Sequence, residues 1–167
     1  MKIYIYSILF LIFSCVQLYA DEEVVKFDLL IGEIDKANLT IKGAIKISID
    51  PDWHIYYKDP GDFGLPTFIS YRGNTSSIDI HWPAPSEHKD EVGKEIFVSN
   101  IYENVVLFPF KVSVLSNQEY IDLNFHIKYA ICKDRCIAKK AEITTRQPLK
   151  NFFNAETNKL INEWYKK

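Results

Sequence analysis

Two cysteines with three residues between them, Cys132 and Cys136, are the pair in this chain with reactive potential. They lie in the segment Ile131-Cys132-Lys133-Asp134-Arg135-Cys136-Ile137. Four residues of extended strand span about 13 Å, whereas a disulfide holds its Cα atoms ~4.4–6.8 Å apart. Pairing these sulfurs therefore requires the chain to fold back on itself. A three-residue turn, Lys133-Asp134-Arg135, between one strand ending near Cys132 and another starting near Cys136 meets that requirement. The closed loop is very small, so the bond constrains the unfolded chain little. Lys133 and Arg135 place positive charge beside the sulfurs, which favours the thiolate needed for exchange. Two chemistries stay open on these residues: an inert hairpin staple, or a disulfide that exchanges with other thiols. A chain of this size does not need a staple to build its core, which tilts the balance toward exchange.

Other reactive constellations are weaker. His54, His81, His88 and His126 could join the two thiols in a copper or zinc site, but none stands at a metal-site spacing such as H-x-x-x-H. His126 alternates with the apolar positions of its segment and reads as a solvated side chain. Asp59 and Asp62 flank Pro60-Gly61 and read as turn residues rather than as paired catalytic carboxylates. There is no G-x-S-x-G, no P-loop and no dinucleotide fingerprint. No cofactor, no metal and no small-molecule substrate is expected.

The first twenty residues read as a secretory signal peptide. Met1-Lys2 precedes an apolar run from Ile3 to Val16, and Leu18 and Ala20 occupy the −3 and −1 positions before Asp21. The alternatives are an uncleaved membrane anchor over Ile3 to Ala20 and a lipidated Cys15. All three make the remainder, beginning at Asp21, exported, and in an oxidising compartment a cysteine pair is a candidate disulfide. The remainder contains Cys132 and Cys136 and no other cysteine. The net charge of −2 argues against nucleic-acid binding, which requires a basic stripe. Eleven Phe, ten Tyr and three Trp supply ample apolar surface for a folded core.

Strict alternation dominates the elements that must position the cysteines. Leu39, Ile41, Gly43, Ile45, Ile47 and Ile49 share one face of a strand, and Ile121, Leu123, Phe125, Ile127 and Tyr129 share one face of another. Shorter β-type runs cover 24–31, 53–58, 67–71, 78–82, 105–114 and 137–144. Pro109 marks its run as an edge strand or a bulge, because proline cannot donate to a ladder. About eight strands separated by Asp/Asn/Pro/Gly turns predict an all-β, immunoglobulin-like antiparallel β-sandwich. The polar stretch 83–97 reads as a surface loop. Residues 151–167 predict a C-terminal helix capped by Asn151 or Asn154. Its apolar side chains are Phe153, Leu160, Ile161 and Trp164, and Lys166-Lys167 suit the negative end of its dipole. The expected division is a signal peptide over 1–20, a sandwich over 21–150 and a helix over 151–167, with the helix docked on the sandwich.

Several stretches together resemble the N-terminal periplasmic domain of thiol:disulfide interchange proteins of the DsbD and ScsB type, the disulfide bond corrector family. They are Trp53-His54-Ile55-Tyr56-Tyr57-Lys58-Asp59-Pro60-Gly61-Asp62-Phe63-Gly64-Leu65-Pro66-Thr67, His81-Trp82-Pro83-Ala84-Pro85, Tyr102-Glu103-Asn104-Val105-Val106-Leu107-Phe108-Pro109, and Tyr129 to Ile137 with Ala141-Glu142. The resemblance covers roughly 46–143. It implies an immunoglobulin-like sandwich with one redox-active disulfide, mapping onto Cys132 and Cys136, and the three-residue gap between them fits the ScsB-like branch. It also implies electrons received from a membrane-embedded donor and passed to periplasmic thioredoxin-like oxidoreductases. Relatives of this type shield the disulfide with a cap loop, here placed at Glu87 to Phe97. Full-length relatives continue into a membrane domain and a thioredoxin-like domain. No counterpart of either is read in this chain, so the donor is expected to be a separate protein. A non-catalytic immunoglobulin-like binding module and a copper-handling domain are the alternative readings.

Overall fold

The computed structural model describes residues 24–116 and 118–167. The expected signal segment, with Cys15, lies outside them. Eleven strands and one helix follow in order: β1 (Val25–Asp35), β2 (Thr40–Ile49), β3 (His54–Gly61), β4 (Phe68–Gly73), β5 (Thr75–Ile80), β6 (Ser86–Val92), β7 (Glu95–Glu103), β8 (Val105–Val114), β9 (Tyr120–Cys132), β10 (Cys136–Pro148), β11 (Phe152–Phe153) and α1 (Ala155–Trp164). Two antiparallel sheets stack face to face. The first runs β11-β1-β2-β8-β5; the second runs β10-β9-β3-β7-β6, with β4 pairing the rest of β9. This is the predicted sandwich with its C-terminal helix.

The alternation read from the sequence builds the shared core. Ile41, Ile45 and Ile47 of β2 are fully buried, as are Ile121, Leu123 and Phe125 of β9. Phe110 of β8 meets Phe125 across the sheets with ring centroids 5.0 Å apart. Tyr102 is buried as well, and its hydroxyl donates to the Pro83 carbonyl at 2.7 Å, which satisfies the one polar atom that the ring carries into the core. Burial holds that hydroxyl protonated, well above the usual tyrosine range.

Pro109 departs from expectation. Its strand, β8, lies between β2 and β5 and is not an edge. Ile80 at the end of β5 pairs with Phe110, and the Pro109 carbonyl accepts from His81 just beyond. A residue's N–H and C=O point to the same side of a strand, so the donor missing from Pro109 falls where the β5 ladder has already ended.

In β1 the core positions are Val25, Phe27, Leu29 and Ile31, opposite Ile49, Ile47, Ile45 and Gly43, and then Ile34 opposite Ile41. The step from odd to even positions is a bulge at Gly32. It ends the period-2 pattern at Ile31, where the predicted strand also ended.

The helix docks as expected, with altered details. Asn154 is the N-cap and accepts from Thr157 N at 2.9 Å, whereas Asn151 accepts from Lys36 N. Phe152 and Phe153 pair with β1 as a strand, so Phe153 is not a helical residue and is 66% exposed. Leu160 faces outward, and the buried face consists of Ile161 and Asn158 with Trp164 beside them. Ile161 packs on Ala44 and Leu107, on the outer face of the first sheet. Lys166 and Lys167 lie past the last turn, and Lys167 Nζ sits 3.8 Å from the centre of the Trp164 ring.

Candidate disulfide site

β9 and β10 form a hairpin in which Cys132 and Cys136 stand directly opposite each other. The expected turn, residues 133–135, closes it. The sulfurs are bonded, and the Cα atoms are 4.1 Å apart. Because side chains alternate along a strand, the core face of β9 takes Ile127 and Ile131, while Lys128, Ala130 and Cys132 point outward with the even positions. The disulfide thus sits on the outer face of the second sheet.

Exposure divides the two sulfur-bearing residues. Cys132 is 1% exposed, although its face points away from the core, whereas Cys136 is exposed. Cys132 clusters with Tyr56, Ile101 and Ala130. Tyr56 Oη lies 3.8 Å from Cys136 Sγ, and since a disulfide sulfur carries no proton, the phenol is the donor. Burial first and the Asp90 carboxylate second raise the Tyr56 pKa, which keeps that donor protonated.

A turn presses on Tyr56 from outside. Gly64 has φ +110°, and a Cβ there would come within 2.3 Å of the Tyr56 ring, so only glycine fits this close approach. β7 anchors the turn: Asp62 N donates to Val98 O at 2.9 Å, Val98 N donates to Asp62 Oδ2 at 2.8 Å, and Asn100 Nδ2 donates to Asp59 O at 3.0 Å. Asp62 is therefore a turn residue, as read from the sequence, whereas Asp59 lies in β3 just before the turn.

The stretch 83–97, expected as a loop, is a correction. Residues 86–92 and 95–103 form a hairpin closed by Gly93 (φ 69°) and Lys94. The cap placed at Glu87 to Phe97 falls on this hairpin. It reaches the site through His88 and Phe97, the latter packed on Phe63 at 4.4 Å between centroids. The segment lying directly on Tyr56 is the Asp62–Leu65 turn.

Of the four histidines that the sequence offered as companions of the thiols, His54 and His88 enter the site, a choice that local spacing did not make. His54 pairs with Cys132 across β3 and β9, stacks on His88 at 5.7 Å and meets the Tyr56 ring edge at 5.2 Å. Burial first and then His88 lower the His54 pKa, against the carboxylates of Glu103 and Asp90. Parity along β3 carried a signal, since His54 and Tyr56 share a face; their pairing with a strand more than seventy residues away did not show in local pattern. His81 lies elsewhere, beside Tyr165. His126 is only partly solvated: β4 pairs over it, Nδ1 is 3.9 Å from Glu142, and Nε2 is buried without a hydrogen-bond partner. Among the described residues no three His, Cys, Asp or Glu side chains are grouped to hold a metal ion.

Lys133 turns to Asp52, with Nζ 3.1 Å from Oδ2. Its charge is thereby partly neutralised. Arg135 is exposed on the turn.

The described residues thus form a two-sheet antiparallel sandwich with a disulfide-closed hairpin on the outer face of its second sheet. Residues 16–148 match the family described as thiol:disulfide interchange protein DsbD, N-terminal. The chain belongs to that family. It is similar in fold to the N-terminal periplasmic domain of ScsB from Proteus mirabilis, with a TM-score of 0.66 and 21% identity, over 89% of this chain and 56% of that one. The chain thus spans little more than half the length of that neighbour. The Neisseria meningitidis DsbD N-terminal domain in the reduced form also aligns, at a TM-score of 0.35 and 11% identity over 77% of this chain and 85% of that one. No curated protein matches the sequence. Among the described residues no helix is long and apolar enough to cross a membrane.

Proposed function

We propose that Cys132 and Cys136 are a redox-active pair that carries reducing equivalents in the periplasm, from a separate membrane donor of the DsbD or ScsB type to thioredoxin-like acceptors. The observation that carries this reading is the unequal exposure of the two cysteines. Exchange needs one sulfur that a partner thiolate reaches and another that is held back to resolve the intermediate. Cys136 meets the first need and Cys132 the second. On reduction, the donor's thiolate attacks Cys136 Sγ, the Cys132–Cys136 bond breaks, and Cys132 leaves as the thiolate. The donor's second thiol then attacks its own sulfur in the mixed disulfide and releases Cys136. The pair gains two electrons and two protons, and the donor becomes a disulfide. Delivery to an acceptor runs the same steps in reverse, with Cys136 as the attacking thiolate.

Tyr56 is suited to assist. A protonated phenol near Cys136 Sγ donates to the thiolate more strongly than to the thiol, which lowers the thiol pKa. Lys133 and Arg135 add positive charge on the turn, Lys133 less so because of Asp52. The signal peptide read over 1–20 supplies the route to the periplasm.

Thiol trapping of the pair across a glutathione or dithiothreitol series tests the reading. A potential between about −120 and −270 mV supports exchange, whereas one below about −300 mV marks a structural bond and overturns it. The Cys132→Ser protein should accumulate a mixed disulfide on Cys136 with a thioredoxin-like partner.

A further inference from the structure

Beside the disulfide, along the same outer face, lies an open groove of about 520 Å³ lined by Leu65, Pro66, Phe68, Lys128, Ala138 and Lys140, among others. Its walls are apolar and unusually open to solvent, with Leu65 54% and Phe68 58% exposed. The groove continues from Cys136 along β10, since Ala138 and Lys140 stand two and four residues on and share its face.

Two lysines face each other across its floor. Lys128 and Lys140 are direct partners in the β9–β10 register, and like charges so placed destabilise a sheet. Lysines on an edge strand commonly guard against aggregation, which accounts for Lys140 on β10. It does not account for Lys128, because β9 is flanked by β4 and β10. The acidic residue that follows on the same face, Glu142, is engaged with Asn124 and His126. A repulsive pair of cations beside exposed phenylalanine and leucine, on a chain of net charge −2, is suited to a ligand that brings the opposite charge.

We propose that this groove docks the redox partner, and that the docked surface presents an apolar side chain flanked by carboxylates next to its reactive cysteine. This rests on the interchange reading above. An acidic partner relieves the Lys128–Lys140 repulsion as it buries Leu65 and Phe68, so charge selects the partner and apolar contact holds it while the sulfurs exchange.

The test uses three thiols of defined chemistry against the oxidised protein at low salt. One is a capped pentapeptide with a central cysteine, a phenylalanine and two glutamates. The second replaces the glutamates with lysines, and the third is β-mercaptoethanol. In each reaction two thiols of the probe lose two electrons and two protons to form a disulfide, and Cys132 and Cys136 become thiols. The acidic peptide should react about tenfold faster than the basic one, and the gap should close at high ionic strength. The Lys128→Gln/Lys140→Gln protein should show less than a twofold preference, react with β-mercaptoethanol like the parent, and melt at the same or a higher temperature. Phe68→Ser should slow both peptides and leave β-mercaptoethanol unchanged. Equal peptide rates with normal β-mercaptoethanol reduction overturn the docking proposal alone. A bond that none of the three reduces overturns the interchange reading and this proposal with it. A dimer in sedimentation that Phe68→Ser dissociates assigns the groove to a second copy of the chain and likewise overturns it.

Discussion

Each sheet turns one face away from the shared core, and the two outer faces are finished differently. On the first, Ala44 and Leu107 lie under α1, and Ile161 is fully buried. On the second, the 62–65 turn lies on Tyr56 and Tyr56 packs with the buried Cys132, while Cys136 and the groove at Leu65 and Phe68 are open. One face is closed by apolar packing that contributes stability. The other is covered just enough to bury one cysteine of a bonded pair, and its exposed apolar surface adds little to folding. On the proposed function, the same β-sandwich separates holding the fold together from doing chemistry by assigning each to a different side.

This contrast is open to direct attack. The largest expected effect is on the open face: Cys136→Ser should abolish disulfide exchange, read as loss of thiol-dependent reduction, while the folded CD spectrum persists. The lost cross-link closes so short a loop that its contribution to stability is about 2 kcal/mol on the chain-entropy expression. On the closed face, Ile161→Ala should cost about 2–5 kcal/mol in denaturant unfolding and leave the reduction potential where it was. Gly64→Ala falls between the two regions in kind. Strain at positive φ and the clash with Tyr56 should cost about 1–3 kcal/mol, and the displaced turn should let small thiols reduce the bond severalfold faster. If Gly64→Ala destabilises without changing that rate, the turn does not shield Cys132 by way of Tyr56.

The smallest effect is a pH slope. Folded His54 holds a proton less readily than in the unfolded chain, because burial and His88 disfavour its charged form. The unfolded state therefore binds more protons as pH falls through the ordinary histidine range. Stability is greatest above that range, declines on acidification, and levels off below the folded-state pKa. Melting temperatures between pH 8 and 5 should show this decline, and His54→Gln should flatten part of it.

Most of the sandwich could be read from period-2 patterns because one face of each strand is buried. Ile41 to Ile49 and Ile121 to Tyr129 gave both core faces, and the cysteine spacing required the β9–β10 hairpin. β6 escaped because Ser-Glu-His-Lys-Asp-Glu-Val is polar on both sides; it is an edge strand held by β7 and carries no apolar alternation. Pro109 misled because its effect depends on where a neighbouring strand stops, which its own segment does not encode. The site was legible only in part, for a related reason. Cys132 and Cys136 are near in sequence, whereas Tyr56, His54 and His88 reach them through β3–β9 and β6–β7 pairings. Such pairings are set by global register rather than by local composition.

The bulge at Gly32 has a consequence for that register. A Cβ on Gly32 would lie 2.9 Å from Ile161 and 3.1 Å from Asn158, and the buried Asn158 Nδ2 donates to the Gly32 carbonyl at 2.6 Å. The bulge thus acts as a phase marker in the strand, and the helix reads it. Sliding β1 by one residue would turn Phe27, Leu29 and Ile34 outward. Sliding it by two would keep them inward, an error that hydrophobic pattern alone would tolerate, but would bring a side chain under Ile161 and Asn158. The helix excludes the slip that the core would accept, so sheet and helix check each other's alignment through one residue without a side chain.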